Sequence, residues 1–347
     1  MNRISAADDV PVVDGMAEVR RSLSWRVAAV RIGVSGVLLA LLFYLLPLDQ
    51  IRGAIARIPA VVWPVAVALY MALHLIGVFK WRMLVNAAGA DLPLLHATRS
   101  YYAGLFGNTF LPSVVGGDII RAAVAARRVR SMAGLILGSL VDRVQDVIGL
   151  AAVAAIGALL LPTALDERSR SVFGVLAITA VVAVVVLALV LRLTPVRRLP
   201  LRFRRRLVRV RIAFRSLSSR PRAQAGAFLL GMVLQTLQIV LNAWLAGMAG
   251  LDAPFQVWLL VWPLAKIAAT LPLTQGGLGV REAALAALFA PFGVAAALAV
   301  AASLVFQVVV ISGGLIGGLV SMSLGRHSPD SDAARPASAS LTTLNVG

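Results

Sequence analysis

The sequence predicts an all-α protein that crosses a membrane several times. Of its 347 residues, 60% are hydrophobic and only 14% are charged, and the mean hydropathy is +0.89. Soluble domains carry about 25% charged residues, so a chain of this composition can bury its apolar surface only in a bilayer. Apolar runs of about 20 residues, each long enough to cross roughly 30 Å of hydrocarbon as a helix, indicate the same class.

Six apolar runs predict membrane spans, at residues 25–46, 60–79, 132–161, 171–191, 223–250 and 293–322. Two further segments, 101–115 and 255–274, are apolar but are interrupted by Pro and Gly. Because Pro and Gly break regular helices, these two segments are ambiguous between full spans and shorter, broken elements.

The positive charge of the chain is concentrated in one segment. The formal net charge is +18, and 12 arginines with no Asp or Glu lie within residues 192–222. Because short Arg-rich loops stay in the cytoplasm, this loop is predicted to set the orientation of the spans, with both termini cytoplasmic. Residues 1–24 then form an N-terminal tail, and residues 326–347, rich in Ser, Ala and Pro, form a disordered tail. A topology and anchoring role is favoured over a specific lipid site, and no nucleic-acid partner is expected.

Several classes of site are excluded by residue types that are missing or scattered. The chain has no Cys, and its three histidines, His74, His96 and His327, are not spaced as a metal pair. Disulfides, metal sites and cofactors are therefore not predicted. The chain also has no Ser-His-Asp set and no GxxxxGK loop, so neither an enzyme nor an ATP-driven pump is expected.

An internal repeat is the strongest signal in the chain. Residues 111–121 and 271–281 share the pattern Leu-Pro, three residues, Gly-Gly, three residues, Arg, at an offset of 160. Each copy follows two spans and precedes one, so the second half is predicted to be inverted relative to the first. The halves are about 25–161 and 171–325, each with three spans plus one re-entrant or broken helix. The first broken element lies between cytoplasmic flanks and is too short to cross twice.

Proline and glycine define the break in each copy. Pro112 and Pro272 are predicted to end or bend a helix, which is a structural role. The glycine pairs let the backbone turn and approach a ligand closely; they are Gly116, Gly117, Gly276 and Gly277.

An arginine follows each glycine pair, in or beside the first turn of the next helix. Arg121 and Arg281 hold this position, and Asp118 is predicted to cap the first of these helices. A cation there opposes the helix dipole, so a phosphate or carboxylate is predicted to lie between the two arginines. The alternative is local pairing, of Asp118 with Arg121 and of Arg281 with Glu282.

Four further charges lie inside apolar segments. Asp142, Arg143 and Asp146 fall in 132–161, and because charge in lipid is costly they should face the bundle interior. A structural ion pair and a transport role are both open for them. Lys266 could reach an anion from the outer side of the membrane, or its ammonium could extend to the membrane interface.

Polar and small residues at helical spacing predict contacts between helices. Gln235, Gln238 and Asn242 share one helical face, and helix association is favoured for them over substrate contact. The overlapping small-residue patterns within 313–318 also predict close helix packing.

The motifs together resemble one known family. They are Gly107-Asn108 before Leu111-Pro112, Gly116-Gly117-Asp118 with Arg121, Gly138-Ser139-Leu140 with Asp142-Arg143, and Leu271-Pro272 followed by residues 276–282, Gly-Gly-Leu-Gly-Val-Arg-Glu. Over residues 26–324 the chain resembles the lysylphosphatidylglycerol synthase transmembrane-domain family, the flippase-like membrane half of the multiple peptide resistance factor proteins.

The resemblance implies a multi-pass protein of the bacterial-type inner membrane that moves a lipid between leaflets. Its implied contact residues are Asn108, Asp118, Arg121, Arg143, Arg281 and Glu282. The family's synthase members carry a soluble aminoacyltransferase domain after the membrane part. This chain ends soon after 325, so lysyl transfer is not expected.

The function expected from the sequence is translocation of an anionic lipid or lipid-linked intermediate. The expected partner is therefore a membrane phospholipid or such an intermediate. The alternative is a non-transporting scaffold that docks a cytoplasmic lipid- or glycan-modifying enzyme through 192–222. A membrane-embedded transferase acting on a lipid-linked sugar is a weaker third reading, supported by little beyond Asp142 and Asp146. The identity of the lipid and the oligomeric state, a homo-oligomer included, stay open.

Overall fold

The computed structural model describes residues 48–110, 116–161, 201–269 and 278–326, together with the single positions Gly33, Val37 and Tyr44. The regular structure in these ranges is helical. The α-helices are α1 (Leu48–Ala56), α2 (Val62–Ala87), α3 (Leu94–Phe110), α4 (Gly116–Ala126), α5 (Met132–Leu160), α6 (Leu201–Ser218), α7 (Pro221–Met248), α8 (Phe255–Ala269), α9 (Val280–Phe289) and α10 (Ala296–Arg326). A short 3-10 turn, Ala290–Phe292, follows α9.

Four of these helices are long and apolar enough to cross a membrane. They are α2, α5, α7 and, over Ala296–Gly325, α10, with 26, 29, 28 and 30 residues in the qualifying segments. At 1.5 Å per residue even α2 extends about 39 Å, which exceeds the roughly 30 Å of a hydrocarbon core. The protein is therefore a multi-pass membrane protein, and the spans predicted at 60–79, 132–161, 223–250 and 293–322 are found as helices.

Some predicted boundaries differ and others lie outside the described residues. Helix α2 continues to Ala87 rather than ending near 79, because Lys80 is buried against polar groups of α5 instead of meeting water. The spans predicted at 25–46 and 171–191 and the tails 1–24 and 327–347 fall outside the described residues, apart from the three single positions.

Helices α3 and α4 form an antiparallel hairpin. A Cβ at Gly104 would lie 2.9 Å from Arg121 Cβ, and one at Gly107 would lie 2.9 Å from Ile120 Cδ1. Residue numbers therefore increase along one helix in the direction in which they decrease along the other. A backbone bond from Arg130 N to Ala90 O, 2.9 Å long, joins the ends of the hairpin. Helix α4 has 11 residues and extends only about 16 Å, too little to cross a bilayer.

Helices α8 and α9 form the corresponding pair later in the chain. Trp258 and Phe289 make an edge-to-face contact at 4.8 Å, and the Arg281 guanidinium lies 6.0 Å from the Trp262 ring. The two helices have 15 and 10 residues, about 22 and 15 Å, so neither matches the thickness of the hydrocarbon.

The order of helices recurs along the chain. Helix α2 starts at residue 62 and α7 at 221, α3 at 94 and α8 at 255, and α5 at 132 and α10 at 296, so each pair is separated by about 160 residues. The contacts between helices show the same correspondence. Helix α3 packs on α10, and its counterpart α8 packs on α5, which is the counterpart of α10. Helices α2 and α7 run antiparallel, with Lys80 beside Gly231 and Met83 beside Gly226.

Small residues allow the closest of these contacts. In α10, a Cβ on Gly314 would overlap Thr109 of α3, and one on Gly318 would overlap Phe106. The small-residue pattern within 313–318 therefore mediates close helix packing, as its spacing indicates.

The Arg-rich segment is not simply a loop. Residues 201–218 of it form helix α6, and Pro221 begins α7. Ala213 and Leu217, one turn apart, are buried; Leu217 joins a cluster with Leu84 and Ala227. The hydroxyl of Ser216 donates to the Ala87 carbonyl at 2.9 Å. Part of the predicted loop between spans is therefore helical, because its apolar side chains recur at helical spacing and cover the ends of α2 and α7.

Gly138→Ala should destabilise the protein by about 1–3 kcal/mol, because the added Cβ would meet the Val85 backbone of α2 at 2.5 Å. Gly149→Ala in the same helix is the matched control, since its Cβ would lie 3.6 Å from Met232 Sδ, an ordinary contact. Thermal unfolding of the detergent-purified variants measures the difference. Equal melting temperatures for the two variants would contradict the close contact between α2 and α5.

Candidate functional site

A polar cavity of about 130 Å³ lies among α2, α3, α4, α5, α7 and α8. Four cationic side chains and three carboxylates from the described residues line it; they are Lys80, Arg121, Arg143, Lys266, Asp118, Asp142 and Asp146. Neutral groups complete the wall, among them His74, Tyr101, Asn108, Gln235 and Gln238. So much charge between apolar helices requires internal pairing, because charge in hydrocarbon is costly.

One wall is an ion triad between α2 and α5. Lys80 Nζ lies 2.8 Å from an Asp142 oxygen and 2.5 Å from an Asp146 oxygen. The two aspartates are four residues apart, so both carboxylates reach the same face of α5. Lys80 and Asp142 are only 2% and 4% exposed. Both readings left open for the aspartates therefore stay compatible with the structure: they form ion pairs and they line the cavity.

Arg121 connects the α3–α4 hairpin to this triad. Its Nη1 lies 3.3 Å from Asp142 Oδ2 and its Nη2 lies 3.1 Å from Asp118 Oδ1. The guanidinium also lies 4.6 Å from the centre of the Trp81 ring, a cation–π contact. Arg143 Nε donates to Asp118 at 2.7 Å. The local Asp118–Arg121 pair is thus present, within a larger network that faces the cavity.

Lys266 differs from the other three cations. Its Nζ donates to Gln235 Oε1 at 2.9 Å and to Gln238 Oε1 at 3.1 Å. Within the described residues no carboxylate pairs with it. The ammonium lies in the cavity wall, where the two glutamines hold it. The two glutamines join α7 to α8, as their spacing predicts, and they also line the cavity.

Arg281 and Glu282 form a separate cluster. Arg281 donates to Ser303 at 3.0 Å, to Gln307 at 2.9 Å and to Glu282 at 2.8 Å. Glu282 is fully buried, and its other oxygen accepts from Gly279 N at 2.6 Å. Among described residues the cavity lining contains Arg121 but not Arg281 or Glu282. The two arginines therefore do not meet across one cavity here, because Arg281 is satisfied by groups of α9 and α10.

Three of the remaining predicted positions lie at or near the cavity. Asn108 and Gly117 line the cavity, and Gly116 begins α4. A Cβ on Gly117 would overlap the Asn108 side chain, so this glycine brings α3 and α4 together. The predicted positions Pro112, Pro272, Gly276 and Gly277 lie outside the described residues.

Sequence reasoning missed several cavity residues, among them Lys80 and His74. Lys80 follows the predicted end of a span, where a lysine is typical of a cytoplasmic flank. The apolar residues that continue after it were the available signal that the helix extends past Lys80. His74 was weighed only as a metal ligand. In the part of the chain that the structure describes, no group of three or more His, Asp or Glu side chains is placed to hold a metal ion.

A sequence model of one family, described as the lysylphosphatidylglycerol synthase TM region, matches residues 28–318. The chain belongs to this family. No curated protein matches the chain significantly. The match to the lysylphosphatidylglycerol synthase transmembrane family spans both hairpins and every residue of the cavity, and it confirms the resemblance seen in the motifs. Membership indicates a membrane protein in lipid-related processes.

Asp142→Asn should destabilise the protein by about 3–5 kcal/mol, because it leaves the buried Lys80 and Arg121 with an uncompensated charge. Asp91→Asn is the matched control; its ion pair with Arg130 is exposed, so the loss should stay below about 1 kcal/mol. Asn also tolerates the positive φ of 54° at position 91. Thermal or chemical unfolding in detergent checks both values, and equal losses would contradict the role of Asp142.

Proposed function

We propose that this membrane protein is a lipid translocase, not an enzyme. It moves an anionic lipid or a lipid-linked intermediate between the leaflets of the cytoplasmic membrane, and the cavity receives the phosphate of the headgroup. The observation that carries the proposal is Lys266, a cation in the cavity wall that is held by two amides and by no described carboxylate.

The charge balance of the cavity supports an anionic ligand. Its four cations and three carboxylates leave one positive charge in excess. An unbalanced charge away from water is unfavourable by several kcal/mol, so a single negative charge from a ligand stabilises the site. A phosphodiester carries one negative charge and accepts hydrogen bonds from an ammonium and from amide groups.

The size of the cavity limits what enters it. Pockets for drug-sized ligands are about 300–1,000 Å³, whereas this cavity is about 130 Å³. A phosphate with a small part of the headgroup fits that volume, and the acyl or prenyl chains would stay in the bilayer. The exposed Asn108 and the half-exposed Arg143 then lie toward the opening through which a headgroup enters.

The arrangement of the helices supports movement between two sides. We propose that the halves form an inverted repeat, because helices recur at about 160 residues, α2 and α7 run antiparallel, and α3 and α8 exchange partners. The hairpins α3–α4 and α8–α9 would each enter the membrane and return. Inverted repeats with broken helices are typical of transporters that open alternately to each side.

Lys266→Met should slow transbilayer exchange of a fluorescent anionic phospholipid at least about tenfold, because a charge-assisted contact worth about 1.5–3 kcal/mol is lost. Exchange of fluorescent phosphatidylcholine, which has no net charge, should be affected less. The measurement is dithionite quenching of labelled lipid in proteoliposomes reconstituted with equal amounts of each variant.

Arg130→Met is the matched control, since it removes an exposed cation whose only described ion pair is with Asp91. Its exchange rate should equal that of the wild type. Unchanged anionic exchange with Lys266→Met, or equal losses for both lipids, would contradict the role of Lys266 as the anion contact.

A scaffold remains the second candidate, because α6 presents Val208 and Ile212, 39% and 64% exposed, on an Arg-rich helix. Replacing Arg202, Arg204, Arg205, Arg206 and Arg209 by Gln separates the two functions. If the protein is a translocase, exchange in proteoliposomes should stay within about twofold of wild type, since surface charge acts mainly on lipid attraction. A cellular function that is lost while exchange and topology persist would favour the scaffold.

A further inference from the structure

Three buried neutral side chains on α2, α7 and α8 have hydrogen-bonding atoms with no partner. They are His74 Nε2, Trp262 Nε1 and both amide atoms of Asn242. These residues are 7%, 3% and 1% exposed. Buried Asn and Trp groups nearly always find a partner, so three such groups on neighbouring helices indicate an occupant that supplies hydrogen bonds.

A chain of aromatic contacts connects two of these groups. His74 lines the cavity, and its ring lies 4.4 Å from that of Tyr70. Tyr70 contacts Phe306 at 6.1 Å, and Phe306 contacts Trp262 at 5.0 Å. Trp262 and His74 therefore belong to one aromatic cluster, of which His74 lines the cavity and Trp262 lies behind the lining.

The register of α7 and α8 brings Asn242 to the same place. These helices are joined by a short connection and so run antiparallel, with Gln238 bonded to Lys266. Asn242 is four residues beyond Gln238, and Trp262 is four residues before Lys266. Both are thus displaced by one turn, about 5.4 Å, in the same direction from the ammonium.

The chemistry of the three groups is neutral. An amide both donates and accepts, an indole N–H donates, and an imidazole nitrogen does either according to its tautomer. Hydroxyl groups offer the same two capacities, and they suit such a set better than a second anion does. A phosphate at Lys266 would place the next few atoms of its headgroup about one helical turn away, beside Asn242 and Trp262.

We propose that the region behind the cavity wall, one helical turn from Lys266, receives the hydroxyl-bearing part of a lipid headgroup, with His74, Asn242 and Trp262 as its hydrogen-bonding partners. The site selects phosphodiesters whose headgroup carries a hydroxyl close to the phosphate over phosphodiesters without hydroxyls. This inference rests on the proposed function, in which Lys266 binds the phosphate.

The first test compares two lipids that share the same charge. Phosphatidylglycerol carries hydroxyls beyond its phosphate, and phosphatidylethanol carries an ethyl group there. In proteoliposomes the wild type should exchange the first at least about tenfold faster, because a site built for hydroxyls disfavours the analogue that leaves its polar groups unpaired. Equal rates for the two lipids would overturn the site.

Two substitutions and a control examine the same ratio. Asn242→Leu keeps a similar volume without hydrogen bonds, and Trp262→Phe keeps an aromatic ring without the N–H. Both should bring the ratio of phosphatidylglycerol to phosphatidylethanol exchange toward one. Ile239→Val, in the same helix and also buried, should keep the wild-type ratio. A ratio that neither Asn242→Leu nor Trp262→Phe changes would overturn the assignment.

The second test needs no transport, and it uses the absence of cysteine from the chain. Asn242→Cys introduces a single thiol, and Ile239→Cys is its control. In phosphatidylcholine nanodiscs a small methanethiosulfonate reagent should label position 242 at least about tenfold faster, since only a polar, occupiable site admits it. Slow labelling at both positions would overturn the site.

Protection by lipid identifies the occupant. Phosphatidylglycerol or phosphatidylinositol added to the nanodiscs should slow labelling of Asn242→Cys more than an equal fraction of phosphatidylethanol does. Equal effects of the three lipids would indicate a gap filled by water, which overturns the headgroup site. A wild type that exchanges no lipid at all would instead overturn the proposed function, and the labelling result would still decide whether the site exists.

Discussion

The carboxylate of Asp142 is the contact on which the described site depends. It lies 2.8 Å from Lys80 Nζ and 3.3 Å from Arg121 Nη1, and so it joins α2, α4 and α5. A charge at the centre of a bilayer is unfavourable by at least about 2.5–3.5 kcal/mol, so these groups remain charged only while each faces an opposite one. The position of the α3–α4 hairpin against the long helices therefore follows from electrostatics as much as from apolar packing.

Close helix approach makes this pairing possible. Apolar side chains are solvated as well by lipid hydrocarbon as by another helix, so no hydrophobic effect drives helices together in the bilayer. Helices associate instead where small residues allow backbone contact. Gly138 meets the Val85 backbone, and Gly104 and Gly117 meet across the hairpin. Helices α2 and α5 approach each other closely where Gly138 meets Val85. About one turn away from this contact on each helix, Lys80 therefore reaches Asp142. These contacts also bring together the polar side chains that line the cavity.

Much of the fold and part of the site could be predicted from the sequence. Four spans follow from apolar length, which the bilayer fixes, and the repeated motif marks the hairpins. Arg121 and Asp142 were identified because a charge within or beside an apolar segment is costly unless another group balances it. Lys80 was missed because its place at the end of a span gives a lysine an ordinary explanation. Arg281 was given the same role as Arg121, although its neighbours Ser303 and Gln307 come from a distant helix that no local pattern indicates.

The sequence by itself determined that the protein lies in a lipid bilayer, which helices are long enough to cross that bilayer, and which family the chain belongs to. These depend on composition, length and local motifs, which act within one element. Only the tertiary structure decided which charges neutralise one another and which cation of the cavity has no described carboxylate partner. Arg121 and Arg281 occupy equivalent motif positions, yet Arg121 lines the cavity and Arg281 does not. The reason is physical: the state of a buried charge depends on groups within a few ångströms, and those groups come from helices far apart in the chain.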